Sequence, residues 1–187
     1  MEKLFIQTQR LTIRNLQPGD LDAFHLYRSN PEVTKYQGFD VMNRDEAAAF
    51  ISRQQDAMFG APGQWVQYAI ALSATGALLG DCAIKLQGND PRIAEIGITI
   101  SHLHQQQGFA KEAMKGIVHF LFGIKELHRI VETVDAENTA SIQLLKSSGF
   151  RQEGHFIENT FFKGAWGSEY QYALLKKEWD AQQQAGR

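Results

Sequence analysis

The sequence predicts an α/β fold. Apolar and polar residues alternate in several short runs, the period of a half-buried strand, and elsewhere apolar residues recur every three or four positions, the period of an amphipathic helix. Between Ala94 and Asp135 these patterns follow one another as strand, helix and strand. At that length they form a βαβ unit with parallel strands and a right-handed crossover. The 187 residues fit one domain with a substantial core: residues 1–180 are read as that domain, and the glutamine-rich stretch 181–187 as a frayed tail.

Leu11-Thr-Ile-Arg alternates and reads as the first strand. Pro18-Gly-Asp20 marks a turn, with Asp20 an N-cap for a helix through Leu26 and Tyr27, and Asn30-Pro31 ends it because the residue before proline leaves the α region. Asn43-Arg-Asp-Glu46 has the form of a capping box opening a second helix, Ala47 to about Phe59. Gly60-Ala-Pro-Gly63 breaks the chain. Two strands follow, Trp65–Leu72 and Ala77–Leu86, joined near Ala74-Thr-Gly76. In the next strand Ala94, Ile96, Ile98 and Ile100 share one face, while Glu95, Gly97 and Thr99 share the other. Ala110, Ala113, Met114, Ile117, Val118 and Leu121 make a helical stripe, with Gly123 as its stop. Arg129–Asp135 is rich in β-branched residues and reads as a strand. Asn138–Ser148 is a short helix closed by Gly149, and Gln152–Phe162 and Ser168–Leu175 form a late hairpin.

Composition excludes several functions. A formal net charge of −2 lacks the basic footprint of a nucleic-acid binder. Cys82 is the single cysteine, so no intramolecular disulfide forms, and a cytoplasmic location is expected. No segment has the length of a membrane span or the form of a signal peptide, and the six histidines have no metal-ligand spacing. No metal and no membrane partner are expected.

The chemistry concentrates between Ala94 and Ala113. A helix start leaves backbone N–H groups unpaired and carries partial positive charge, so a glycine-containing loop that aims those groups outward is a phosphate site. Gln105-Gln-Gln-Gly108-Phe-Ala110 is such a loop, and it implies a diphosphate-bearing ligand without identifying it.

These residues, taken with the order of elements from Leu11 to Trp179, resemble the GNAT superfamily of N-acetyltransferases. The loop is similar to that family's Gln/Arg-x-x-Gly-x-Gly/Ala motif, and Asn138 to Phe150, ending in Gly-Phe, resembles its second motif. Asn30-Pro-Glu-Val33, Ala94-Glu-Ile-Gly97, the Asn-x-x-Ser start of the second motif and Trp166…Glu169 look like the RimJ/RimL-type branch, which acetylates protein N-termini and assorted small amines. The resemblance implies a mixed, mostly antiparallel sheet of about seven strands, with a splayed parallel pair holding acetyl-CoA. It implies a pantetheine arm pairing with backbone near Ile98, Thr99 and Ile100, and a pyrophosphate on Gln105, Gln106, Gln107, Gly108, Phe109 and Ala110. Asn138 and Ser141 would contact the arm and the sulfur. A homodimer is also in keeping with the family.

Acetyl transfer needs a neutral amine, a polarised thioester carbonyl and help for the departing thiolate. Deprotonating a lysine-type amine at neutral pH costs roughly 3.5 kcal/mol more than an α-amine, so the acceptor decides how strong a base is required. Glu95 is the base candidate, acting through water; alternatively it binds backbone or a basic side chain. His102 and His104 flank the loop as rivals or as surface residues. Glu169 is a third candidate, or else one half of a cross-strand charge pair. Ser141 either meets the sulfur or only satisfies helix backbone. In many superfamily members a tyrosine four residues on serves as acid, but Leu145 stands there. Asn138 is an N-cap, an arm contact, or both. Lys111 and Lys146 either meet phosphates or are solvated, and Cys82 is read as buried and inert. The reading is a direct-attack N-acetyltransferase acting on a peptide N-terminus or a small-molecule amine. The alternatives are a non-catalytic acyl-CoA sensor or another phosphate-ligand enzyme.

Overall fold

The structure, a computed structural model, describes residues 2–185. One eight-stranded sheet organises it, in the order β1-β2-β3-β4-β5-β6-β8-β7. The strands are β1 (Ile6–Gln7), β2 (Leu11–Asn15), β3 (Val66–Leu72), β4 (Leu78–Leu86), β5 (Ile93–Ile100), β6 (Arg129–Asp135), β7 (Arg151–Phe162) and β8 (Ala165–Leu175). The helices are α1 (Leu21–Arg28), α2 (Pro31–Thr34), α3 (Arg44–Gln54), α4 (Phe109–His119), α5 (Thr139–Ser147) and α6 (Lys176–Ala185).

Alternation along the strands assigns the two faces. Cys82, Ile84, Ala94, Ile96, Ile100, Ile130, Val134, Tyr172 and Leu174 belong to the larger core, which also takes the apolar stripe of α4 and Leu145 of α5. The opposite face carries a smaller core in which Phe24 and Tyr27 of α1 and Ala47 and Ile51 of α3 meet Ala69. The capping box at α3 forms as its sequence dictates: Asn43 Oδ1 accepts from Glu46 N at 2.9 Å, and Glu46 Oε2 accepts from Asn43 N at 2.8 Å.

Every pairing is antiparallel except β5 with β6. That parallel pair is in register only over Ile93–Glu95 with Arg129–Val131. Beyond it both strands keep their outer partners, β5 with β4 as far as Ile100 and β6 with β8 as far as Asp135. The sheet therefore forks after Glu95. β4 approaches the outer arm of the fork so closely that a β-carbon at Gly80 would collide with the Thr99 carbonyl.

Three expectations change. Helix α6 continues to Ala185, through most of the stretch expected to be a frayed tail; Trp179 packs on the core against Phe122, with ring centroids 5.9 Å apart, and so anchors it. Residues 186–187 lie outside the described residues. Gly123 does not stop the helix. It lies within a π-helical turn, Phe120–Ile124, where a β-carbon would press on His119 and Trp179 at 3.3 Å. Helix α3 ends at Gln54 rather than near Phe59.

Candidate functional site

Two surfaces meet at the fork. The first is the loop between β5 and α4. Gly108 precedes the helix in the left-handed region, φ +80°, a conformation that costs other residues about 1–2 kcal/mol. Gln106 is also left-handed, φ 59°. The backbone N–H groups of Gln106 to Lys111 bond to no described residue, and α4 has no side-chain N-cap. These are the free donors and the positive helix end that a diphosphate needs. The loop's side chains hold its shape: Gln105 Nε2 donates to the Ile100 carbonyl at 3.1 Å, and Gln107 Nε2 to that of Leu103 at 3.4 Å. Phe109 is buried.

Arg10 completes this surface and was not legible in the sequence. It donates to Glu112 Oε2 (2.6 Å) and to the Gln107 carbonyl (3.2 Å), and it stacks over the Phe109 ring at 4.4 Å. Glu112, in the first turn of α4, thereby ties the loop to the start of β2. Only the contact across the fold brings residues 10 and 112 together.

At the start of α5, Asn138 Oδ1 accepts from Ser141 N at 3.1 Å. This is the N-cap geometry expected of it, and it leaves Nδ2 free. The Ser141 hydroxyl bonds to no described residue and is half-buried. Asn138 and Gly108 thus stand at the C-terminal ends of the two splayed strands, where ligands gather in open α/β sheets. Ile98 and Ile100 face the core with α4, and Thr99 faces the other side.

The second surface is a cavity of about 1070 Å³ on that other side. Its floor is Gln67, Ala83, Glu95, Gly97 and Thr99, from three adjacent strands. Tyr36 to Phe39 form one wall and the β7–β8 hairpin the other. Lys163 at the hairpin tip reaches across to the Thr34 carbonyl at 2.7 Å. Trp65, Trp166 and Phe162 supply aromatic faces, and Asp135, Glu137, Glu158 and Glu169 supply carboxylates.

Glu95 lies in this cavity, half-buried, 2.5 Å from Lys85 and 3.3 Å from Gln87 Nε2. Glu95 therefore has the basic partner of its alternative reading, and it also lies on the cavity floor. Lys85 also sits 4.6 Å over the Trp65 ring. Glu169 bonds Asn159 at 2.5 Å, and its cross-strand neighbour is Asp135. The expected charge pair is therefore two like charges side by side, an arrangement that costs stability. His102 and His104 lie on a short 3₁₀ turn outside the cavity lining. Lys111 and Lys146 are exposed. Cys82 is fully buried, and that burial pushes its thiol well above the ordinary range, with the neighbouring Asp81 adding to it; it is no nucleophile. Among the described residues no group of three or more His, Cys, Asp or Glu could hold a metal ion, and no helix is long and apolar enough to cross a membrane.

Beneath the cavity Asp81 is fully buried. It accepts from Arg28 Nη2 at 2.7 Å and Nε at 3.2 Å, from the Tyr27 hydroxyl at 2.5 Å, and from Gln67 Nε2. The Arg28 guanidinium stacks 4.0 Å from the Phe39 ring. This buried pair fixes the wall to the floor. In sequence it is only an arginine at a helix end and an aspartate in a strand.

A family profile described as acetyltransferase (GNAT) domain matches residues 10–151. An uncharacterised N-acetyltransferase of Bacillus licheniformis is 34% identical over 96% of this chain and 99% of its own length. The crystal structure of a GNAT-family acetyltransferase from Bacillus anthracis superposes with a TM-score of 0.84 at 28% identity, covering 93% of this chain and 99% of that one. The spermidine N-acetyltransferase of Vibrio cholerae, solved in complex with CoA and spermine, gives 0.76 at 25% identity over 90% and 97%.

Proposed function

The chain belongs to the GNAT acetyltransferase family and is an N-acetyltransferase, and on that premise we propose that it transfers acetyl from acetyl-CoA to a primary amine by direct attack in a ternary complex. The observation that carries the reading is the fork: unbonded N–H groups on one side of it and a carboxylate-floored cavity on the other. Residues 1–180 act as one catalytic domain. The free donors of Gln106 to Ala110, with the Gln105 side chain tying the loop to β5, hold the pyrophosphate, and Arg10 adds positive charge beside it. The pantetheine arm takes the β5 edge at Ile98–Ile100 that β6 leaves unpaired. Asn138 Nδ2 and the Ser141 hydroxyl are free to bond the arm and the sulfur. Acetyl-CoA supplies the activated acyl group.

On the cavity side the amine approaches Glu95, which takes its surplus proton directly or through water. Lys85 competes with the incoming amine for that carboxylate, so binding exchanges one cation for another. The motifs of the RimJ/RimL-type branch admit a peptide N-terminus as acceptor. The cavity lining carries five carboxylates, Glu95 included, against two lysines, Lys35 and Lys163. This excess, together with several aromatic faces, favours an amine carrying further positive charge. The spermine-bound relative is in keeping with that preference.

The test is a panel of free-N-terminal peptides, polyamines and aminoglycosides assayed by release of CoA thiol, alongside calorimetric titration of acetyl-CoA. Saturable acetyl-CoA binding and turnover of a cationic amine are expected. Glu95→Gln should lower kcat about 100-fold and leave the acetyl-CoA dissociation constant within about twofold. Protein that binds no acetyl-CoA would contradict the proposal.

A further inference from the structure

We propose that Glu132 is the proton donor to the departing thiolate, the acid that complements Glu95 across the fork. The assignment rests on the N-acetyltransferase reading above. Glu132 is on β6, immediately after the last residue that pairs with β5. It alternates with Ile130 and Val134, so its side chain belongs to the face covered by α4 and α5. Glu95 is on the opposite face, in the cavity. One carboxyl group therefore stands on each side of the point where the sheet opens.

Glu132 is 7% exposed, and its Oε2 is buried with no hydrogen-bond partner. Buried polar atoms in folded proteins are almost always paired, so an orphaned carboxyl oxygen in a core calls for a partner that the described residues do not supply. No cation meets it among the described residues. From β5 the one charged group acting on it is Glu95. From β8 its cross-strand neighbour is Tyr172, whose hydroxyl is turned to Gln152 at 3.4 Å. Leu145, Met114 and Ile117 of the covering helices share the core of this face and carry no charge. Burial, reinforced by the charge on Glu95, pushes the Glu132 carboxyl up to about 8. It is therefore mostly a neutral acid at neutral pH, with a proton to give.

The phosphate-holding loop and Asn138 open the two helices on the Glu132 side, whereas the amine enters on the Glu95 side. An amine that arrives as an ammonium ion first loses that proton to solvent by way of Glu95, and from the neutral amine the step then balances without a further reactant. The amine nitrogen bonds to the thioester carbonyl carbon, and the carbon–sulfur bond breaks with its electron pair going to sulfur. Glu132 gives sulfur its proton, and Glu95 takes the surplus proton from nitrogen. Glu132 recovers a proton from Glu95 through water, so amide and free thiol leave and both carboxyl groups return to their starting state. Leu145, where many relatives by resemblance carry an acidic tyrosine, leaves this role open on the same face.

The test uses the full chain with acetyl-CoA and whichever panel amine turns over. Glu132→Gln keeps the shape and a hydrogen-bond donor but has no acid proton. Its kcat should fall about 100-fold, with CoA affinity within about threefold of wild type. The alkaline decline of kcat above about pH 8 should be absent from the variant. A measurement free of turnover, and of the variant's folding, is infrared spectroscopy of the wild type. A carboxylic-acid carbonyl band should be present at neutral pH, vanish in alkali and shift when CoA is added. Glu132→Gln turnover within about twofold of wild type, or no such band, overturns the assignment alone. Failure of the wild type to bind acetyl-CoA overturns the acetyltransferase reading and the assignment together.

Discussion

Asp81 and Glu132 are both carboxylates sunk in central strands, but they differ in what meets them. Asp81 receives an arginine fork, a tyrosine hydroxyl and a glutamine amide; Glu132 has an oxygen that meets nothing. The first arrangement places a buried charge where every lone pair has a donor, and it joins α1 to β4 under the cavity. The second places a neutral acid at the fork, where the sheet gives up its own hydrogen bonds. Satisfaction thus separates the two roles. A paired buried charge positions the elements around it, while an unpaired buried acid is available to a reacting partner.

That contrast is sharpest in stability. Arg28→Ala leaves Asp81 buried without its cation, and it should cost about 3–5 kcal/mol. Thermal unfolding should show a melting temperature lower by roughly 10 °C. A drop of only a degree or two would mean that Asp81 is satisfied without Arg28.

Glu132 makes the opposite prediction, and it appears as a pH slope. Its folded pKa of about 8 is above the ordinary 4.5, so between those values the folded protein holds a proton that the unfolded chain has released. The stabilising contribution is complete below pH 4.5 and is lost as pH rises through about 8, at roughly 1.4 kcal/mol per unit. Urea unfolding at about pH 5, 6.5 and 8 should show that slope in the wild type. Glu132→Gln should flatten it and be the more stable protein at the alkaline end. Parallel slopes in the two proteins would place Glu132 with the ordinary carboxylates.

The smallest effect tests the carboxylates of the cavity rim, which are neither buried nor ideally paired. Asp135 and Glu169 are direct cross-strand neighbours. Asp135→Asn should raise stability by about 0.5 kcal/mol by relieving their repulsion. The same change should raise KM for a dicationic amine about fivefold while leaving KM for a monocation within about twofold. Steady-state kinetics with the two amines side by side distinguish a rim that attracts charge from one that only shapes the cavity.

The strands and most helices were legible because their burial is periodic. Ala94 to Ile100 alternates, the stripe on α4 repeats every three or four residues, and Asn43…Glu46 and Asn138…Ser141 are local caps whose partners are three residues away. The loop at Gly108 was legible for the same reason: its function comes from the backbone of a few consecutive residues. The Pro31 start of α2 is just as local, with Asn30 Oδ1 accepting from Glu32 N at 3.0 Å and proline in the first turn, but in sequence the same pair reads only as the end of α1. The two-residue β1 and the continuation of α6 were not legible, because tertiary packing rather than local pattern holds them. Trp179 shows this, since a glutamine-rich stretch stays helical once that ring is seated against Phe122.

Glu95 could be singled out from sequence because it precedes the loop on the same strand. Its partner Lys85 could not, since it faces Glu95 only through the β4–β5 register. Glu132 was read as one more residue of a β-branched strand. Its significance depends on three things that sequence does not hold: where the parallel pairing stops, which face it occupies, and the absence of any donor near its Oε2. Arg28, Asp81 and Arg10 belong with it, as each acts on a residue more than fifty positions away.

By itself the sequence determined the order of strands and helices, the phosphate-binding loop and the family resemblance. All of these are set by contacts within a few residues or by backbone conformation. Only the tertiary structure decided where the sheet forks, which carboxylates face the cavity, which is paired under its floor and which is buried alone. The physical reason is that a carboxylate's chemistry is fixed by burial and by the charges and donors around it, and those come from segments far apart in the chain.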